Sequence, residues 1–178
     1  MSVLDLHLLG SPVLRDQSRE VTAVDDEVRR LVADLFETMY AARGIGLAAN
    51  QVGVARRVAV VHADEERLVL VNPQIVEASG RETGEEGCLS IPDLVGDVTR
   101  AERIVLEALD QHGTPYRREL SGLPARAVQH EIDHLDGILF LDHLSLFKRQ
   151  RLLSRWRKEH ADDEGYTRPV RSVAAEST

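Results

Sequence analysis

The chain has 178 residues, of which 43% are hydrophobic and 29% charged, and its net charge is −8. These values predict one folded domain, at residues 1–160, and the acidic balance excludes a surface that binds nucleic acid as a whole. Residues 1–10 contain neither a basic stretch nor a long apolar run, so no signal peptide and no membrane span are expected. The one cysteine, Cys88, excludes an internal disulfide and favours a cytoplasmic location.

The predicted elements begin with a helix over residues 25–43, where apolar side chains recur at helical spacing and Gly44 follows the end. Short β-branched or alternating segments come next and predict strands, at residues 56–62, 67–73, 103–110 and 116–120. Their connections are too short for crossover helices, so we expect antiparallel pairing.

Two further helices are predicted in the last third of the chain. One begins at Ser121, a good N-cap residue, and stops near Gly137, and the other covers residues 145–159. We therefore predict an α+β fold in which antiparallel sheets pack around a central helix, with a helix at the carboxyl terminus. Residues 161–178 are expected to form a disordered tail.

The central helix contains the sequence HEIDH, residues 130–134. His130 and His134 lie one turn apart on the same face, so both imidazoles can bind one metal ion. Glu131 is offset and can reach a reacting water without being a ligand, which is the arrangement of a metallohydrolase. The alternative is a solvated helix face that happens to carry two histidines.

A catalytic metal site of this kind needs a third protein ligand. Position 140 is Phe140 where a metzincin protease has histidine, and the downstream glutamates, Glu159 and Glu164, lie at the end of a basic helix or in the tail. Cys88, in the segment EGCLS, is the better candidate, although a lone cysteine is most often a small buried residue. A thiolate ligand suits iron or zinc rather than magnesium or calcium.

The segment GIGLAANQVG, residues 44–53, is rich in glycine and small side chains. It is not a phosphate-binding loop, because no Lys–Ser/Thr pair follows the glycines. Its backbone can approach a ligand closely, and the Gln51 amide can donate a hydrogen bond without carrying charge. The segment is therefore a candidate for contact with a substrate.

Three segments together resemble the motifs of bacterial peptide deformylases: GIGLAANQ at 44–51, EGCLS at 86–90 and HEIDH at 130–134. They match every fixed position of G-x-G-L-A-A-x-Q, E-G-C-L-S and H-E-x-D-H, and the resemblance covers residues 4–155. It implies an enzyme that removes the formyl group from the N-terminal formylmethionine of nascent polypeptides and releases formate.

The resemblance also implies the metal and its ligands. Cys88, His130 and His134 would hold Fe²⁺, with zinc, nickel or cobalt as substitutes. Glu131 would serve first as general base and then as general acid.

Other positions would contact the substrate. Gln51 and the backbone N–H of Leu89 would donate to the oxyanion. The resemblance and the apolar face of the central helix imply further substrate contacts at Ile45, Gly46, Gly87, Arg100, Leu123 and Ala127. Arg126 lies on the same helix face, and we expect its stem at the rim of the methionine pocket with the guanidinium in water.

The last helix is strongly basic, with six basic residues and no acidic one between positions 145 and 158. Its apolar side chains are expected to pack on the domain, at Phe147, Leu152, Leu153 and Trp156. The expected outward basic residues are Lys148, Arg149, Arg151, Arg155 and Arg157. This face either balances acidic neighbours or docks on the ribosome near the exit tunnel, as the resemblance suggests.

Three alternatives remain open at this point. The first is a metallo-endopeptidase that cleaves internal peptide bonds, and the second is a binding protein stabilised by a closed metal site. The third is a hydrolase with Cys88 as nucleophile, which leaves Glu131 and His134 without a role. A monomer is expected.

Overall fold

The computed structural model describes residues 1–170, which form three α-helices, three short 3₁₀ helices and nine strands. The α-helices are α1 (Asp26–Ala41), α2 (Gly122–Leu135) and α3 (Leu146–Glu159). The strands are β1 (Leu6–His7), β2 (Gly46–Ala48), β3 (Val58–Ala63), β4 (Glu66–Ser79), β5 (Glu82–Cys88), β6 (Ile91–Arg100), β7 (Arg103–Leu109), β8 (Pro115–Ser121) and β9 (Thr167–Arg168). None of the helices in this range combines the length and apolar character that a membrane crossing requires.

The largest sheet contains five strands in the order β2–β3–β4–β7–β8, and every neighbouring pair is antiparallel. The four predicted strand segments are found as β3, β4, β7 and β8, but β4 continues through the expected turn at Asn72–Pro73 and ends only at Ser79. Strand β4 has register shifts between Val71 and Gln74 and between Ile75 and Glu77, where it pairs with β7. Strand β2 forms one edge of this sheet, and that edge borders the site described below.

The five-stranded sheet lies between α1 and α2. Successive side chains of β3 point to opposite faces, so Val58 and Val60 join the α1 cluster while Ala59 and Val61 join the α2 cluster. The buried residues that α1 contributes are Val28, Val32, Leu35, Phe36 and Met39. The side chain of Ala59 is small, which allows α2 to pack closely on its face of the sheet. The packing of α2 against the sheet agrees with the central helix that the sequence predicts.

Glycines bound the central helix. Gly122, at φ +63°, opens it, and the Ser121 side chain makes no cap hydrogen bond, so serine capping does not explain where the helix begins. Gly137 follows its end at φ +76°, and a Cβ there would lie 2.5 Å from the carbonyl oxygen of Arg15. Glycine is therefore required at 137 both by backbone conformation and by space.

Strands β5 and β6 form a separate antiparallel hairpin, which the sequence indicated only at the end near Cys88. The register shifts between Gly87 and Cys88, next to the site. Ile91, Leu94 and Val98 of this hairpin belong to an apolar cluster that also contains Trp156 of α3. This cluster attaches the hairpin to the rest of the domain.

The carboxyl-terminal segment is ordered further than the sequence suggests. Strand β9 pairs antiparallel with β1, and the Leu8 N–H donates to the carbonyl oxygen of Tyr166 at 2.7 Å. The Tyr166 ring lies against Gly10, and Val170 packs on the α1 cluster. The predicted disordered tail therefore does not begin at residue 161, and its remainder, 171–178, lies outside the described residues.

One packing prediction for α3 is wrong. Trp156 is buried and Leu152 and Leu153 are partly buried, but Phe147 is 74% exposed. Phe147 precedes Trp156 by nine residues, which is half a turn out of phase on an α-helix. The two aromatic side chains therefore point in opposite directions.

Candidate metal centre

The end of β5 and the middle of α2 bring Cys88, His130 and His134 together. Their potential ligand atoms all lie within 4.8 Å of one another. Cys88 Sγ is 3.3 Å from His134 Nε2, which is 3.1 Å from His130 Nε2. One thiolate and two imidazoles at these separations can hold a single iron or zinc ion and leave a coordination position free.

The two imidazoles have different surroundings. His130 Nδ1 lies 2.9 Å from Glu86 Oε1, so its Nε2 faces Cys88 and His134. Burial alone would lower the pKa of His130, but hydrogen bonds with Cys88 and Glu86 outweigh it and raise that pKa to about 10. Burial lowers the pKa of His134 well below its ordinary value, and His134 Nδ1 has no hydrogen-bond partner among residues 1–170.

Glu131 lies beside the ligands but is not part of their cluster. Its side chain is buried, and Oε2 has no hydrogen-bond partner within the described range. Burial raises the pKa of Glu131 to about 7. A carboxylate with these properties can accept and release a proton near neutral pH. Glu131 also lies against Gly46 of β2. A Cβ at position 46 would be 2.6 Å from Glu131 Oε1, so glycine at this position leaves room for the carboxylate.

Gln51 belongs to a 3₁₀ helix, Ala49–Val52, that follows β2 directly. Its Oε1 accepts a hydrogen bond from the Ala48 N–H at 3.0 Å, which fixes the orientation of the amide. Its Nε2 therefore faces the site, where it donates to Ser90 Oγ at 3.0 Å and lies 3.6 Å from Cys88 Sγ. A hydrogen-bond donor is thus held next to the thiol.

A cavity of about 420 Å³ opens beside this group, a volume that suits a small ligand or the end of a peptide. The predicted site residues along its wall are Ile45, Gly46, Gln51, Gly87, Cys88, Leu89, Leu123, Ala127, His130 and Glu131. Arg43, Pro92 and Val95 also line it and were not predicted. No motif marks these three, and only their nearness to Gly44 and to EGCLS could have indicated them.

The structure places Arg100 away from this cavity, which corrects the expected role in binding substrate. Its side chain is buried and binds Glu86 through Nε and Nη2, at 2.6 and 2.9 Å, and Asp133 through Nη1, at 2.8 Å. The Arg100 guanidinium is thus held by two carboxylates rather than by groups that line the cavity. Arg100 supports the metal ligands indirectly, through these carboxylates.

Arg126 borders the cavity, but its guanidinium points into the β5–β6 hairpin rather than out to the rim, which differs from the prediction. It is buried and donates to Glu86 Oε2 at 2.6 Å, to the carbonyl oxygen of Val98 at 2.8 Å and to that of Glu82 at 2.7 Å. A buried carboxylate needs cationic partners. The buried Glu86 therefore explains why the Arg126 guanidinium points into the protein. Burial would raise the pKa of Glu86, but bonds with His130 and Arg100 hold it well below its ordinary value.

A cysteine, two histidines and an uncoordinated glutamate beside an open cavity define the class of metal-dependent hydrolases. Residues 3–150 match the family model described as polypeptide deformylase, and the chain belongs to this family.

Curated relatives agree with this family. The peptide deformylase of Alkalilimnicola ehrlichii is 52% identical over 162 residues, which cover 89% of this chain and 91% of the relative. That of Chromohalobacter salexigens is 50% identical over 151 residues, covering 83% and 89%.

Solved structures agree as well. Peptide deformylase from Ehrlichia chaffeensis in complex with actinonin superposes with a TM-score of 0.86 at 40% identity, covering 89% of this chain and 98% of that chain. The enzyme of Thermus thermophilus gives a TM-score of 0.81 at 42% identity, with 88% and 99% covered. The predicted fold class, family and enzyme class are thereby confirmed.

Proposed function

We propose that this protein removes the formyl group from the N-terminal formylmethionine of nascent polypeptides and releases formate. The observation that carries the proposal is the Cys88–His130–His134 cluster, with Glu131 free beside it at a cavity bordered by a strand edge. Membership of the polypeptide deformylase family specifies which amide bond this hydrolytic site cleaves.

The free edge of β2 supports binding of an extended peptide. Among residues 1–170, β2 pairs only with β3, and Ile45 and Gly46 at the start of this strand line the cavity. A peptide can add to such an edge through main-chain hydrogen bonds, with Gly87 on its opposite side. The methionine side chain then occupies the slot lined by Leu123 and Ala127.

These positions support the following catalytic roles. Cys88, His130 and His134 would hold the metal, which would act as a Lewis acid and lower the pKa of a bound water to about 7. Glu131 accepts a proton as water attacks the formyl carbon, and later donates it to the leaving amine as the C–N bond breaks. Gln51 Nε2 and the Leu89 N–H donate to the oxyanion that forms between these two events.

Product analysis separates this function from that of an endopeptidase. Formyl-Met-Ala-Ser and the same peptide without the formyl group are incubated with the metal-loaded protein. We expect formate and a free amino terminus from the first peptide and no reaction with the second. Cleavage between the amino acids of either peptide would instead support the endopeptidase.

We propose Fe²⁺ as the metal, with zinc, nickel or cobalt as substitutes, because a thiolate and two imidazoles suit these ions. Protein purified without oxygen is expected to contain iron and to lose activity on exposure to peroxide, since iron and its thiolate ligand are both open to oxidation. The nickel form is expected to keep its activity under the same exposure. Iron content and residual turnover measure this, and equal durability of the two forms would contradict the assignment.

We also propose that the enzyme works as a monomer in the cytoplasm and binds the ribosome through α3. The monomer is supported by the metal cluster, because Cys88, His130 and His134 of a single chain already lie close enough together to bind one ion. Leu146 and Phe147 are 70% and 74% exposed at the start of α3, next to the basic residues. Arg149 and Arg155 pair with Asp142 and Glu159, at 3.2 and 2.9 Å.

The basic residues of α3 without such partners provide the sharper test of ribosome binding. Arg151 and Arg157 are exposed and form no ion pair within residues 1–170. We expect Arg151→Glu/Arg157→Glu to lose salt-sensitive co-sedimentation with ribosomes while turnover of a short formyl peptide is kept, because contacts with phosphates weaken steeply as salt rises.

The matched control reverses two exposed arginines elsewhere, Arg30→Glu/Arg103→Glu. It changes the net charge equally and is expected to sediment like the unmodified protein. Equal sedimentation of the α3 variant would leave the helix as a structural element only.

A further inference from the structure

Arg126 is a buried cation that the proposed reaction does not use. It lies on α2 four residues before His130, and its side chain is 10% exposed. All of its side-chain hydrogen bonds within the described chain go to the β5–β6 hairpin. They reach one carboxylate and two backbone carbonyls, Glu86, Val98 and Glu82, so both strands of the hairpin are bound.

Glu86 connects this arginine to the metal centre. Its Oε1 accepts from Arg100 Nη2 and lies within hydrogen-bond distance of His130 Nδ1, each at 2.9 Å. Its Oε2 accepts from Arg100 Nε and Arg126 Nη1, each at 2.6 Å. The carboxylate is therefore held in one orientation by two guanidinium groups, and it holds the imidazole in turn.

The contacts of the two arginines involve both ends of the segment of α2 that carries His130 and His134. Arg126 belongs to α2 and reaches across to the hairpin, one turn before His130. Arg100 belongs to β6 and binds Asp133 of α2, which directly precedes His134. Arg126 thus joins the helix that carries the two histidines to the hairpin whose strand β5 ends at Cys88.

The hairpin makes room for this contact at Gly84. A Cβ at that position would lie 3.3 Å from Cζ of Arg126 and 3.4 Å from its Nε and Nη2. The guanidinium therefore lies against the bare backbone of β5. A side chain at position 84 would force the guanidinium to shift, which gives a second way to disturb the contact without changing Arg126.

We propose that Arg126 is a positioning residue for the metal centre. It fixes Glu86, and through Glu86 the His130 imidazole, and it holds the thiol and imidazole ligands at their mutual distances. This inference rests on the metal site of the proposed function but not on the choice of substrate. Outer groups of this kind typically change metal affinity by about 10–100-fold.

The test is zinc affinity of the full chain, measured by competition with a chromophoric chelator and without peptide. Arg126→Met keeps most of the aliphatic stem and removes the guanidinium. We expect it to bind zinc about 10–100-fold more weakly than the unmodified protein. Gly84→Val is expected to weaken binding in the same direction. Arg118→Met is the control, because Arg118 is an exposed arginine on β8 that pairs with Glu66.

A thermal midpoint is recorded for each variant, since a merely structural role would lower the midpoint and leave zinc affinity unchanged. That result, or equal affinity losses in Arg126→Met and Arg118→Met, would overturn the proposal. If Arg126→Met does not fold, Arg126→Lys decides, because its ammonium keeps the charge but cannot bind all three partners. Weaker zinc binding then supports the proposal, and unchanged binding overturns it. Failure of deformylation would leave these affinities unaffected.

Discussion

Glu131→Gln is expected to keep the metal bound and to lower kcat by about 10²–10⁴-fold, the usual contribution of a general acid–base group. Glutamine has nearly the same shape as glutamate, so it fits against Gly46, but it cannot accept the proton of the attacking water. The buried position of Glu131, which raises its pKa to about 7, makes the carboxylate suitable for both proton transfers.

Metal content and turnover of formyl-Met-Ala-Ser are measured on the same preparation of this variant. Glu119→Gln, an exposed position on β8, is the control and is expected to behave like the unmodified protein. Loss of the metal together with activity would show that Glu131 is a ligand or a structural group rather than the base.

Cys88→Ala is expected to lose the metal during dialysis against a chelator that the unmodified protein withstands, and turnover should fall to that of metal-depleted protein. Removal of Sγ leaves only the two histidines, whereas sites of this kind require three protein ligands. The side chain is small and only partly buried, so the fold should persist.

The thermal midpoint of the metal-depleted proteins checks that the fold persists, because neither form then gains stability from bound metal. Full metal occupancy in Cys88→Ala would show that the Cys88 thiolate is not a metal ligand. Full activity would also contradict the catalytic account, since it would leave no reason for a thiol at the end of β5.

Local patterns were sufficient for much of the fold. Helical periodicity placed α1, α2 and α3 within a few residues, and alternation placed β3, β4, β7 and β8. The β5–β6 hairpin was not predicted as a unit because its sequence, ETGEEGC before the turn, is acidic and glycine-rich rather than alternating. Its stability comes from burial of Ile91, Leu94 and Val98 against distant segments, which periodicity cannot indicate.

Only part of the candidate site could likewise be predicted from local sequence patterns. The histidines follow from their i, i+4 spacing, and their grouping with Cys88 was expected because a metal site needs a third ligand. The positions of Arg100 and Arg126 could not be predicted, because their partner Glu86 lies 14 and 40 residues away in the chain. Only the folded structure shows that a buried carboxylate draws both guanidinium groups inward.

X-ray absorption of the nickel-loaded protein tests most directly whether Cys88, His130 and His134 hold one metal with a position open to water. One sulfur and two imidazole nitrogens per metal are expected, with the remaining position filled by a light atom that formate or substrate can exchange. A spectrum without sulfur, or with a fourth protein ligand and no exchangeable position, would contradict a hydrolytic metal centre.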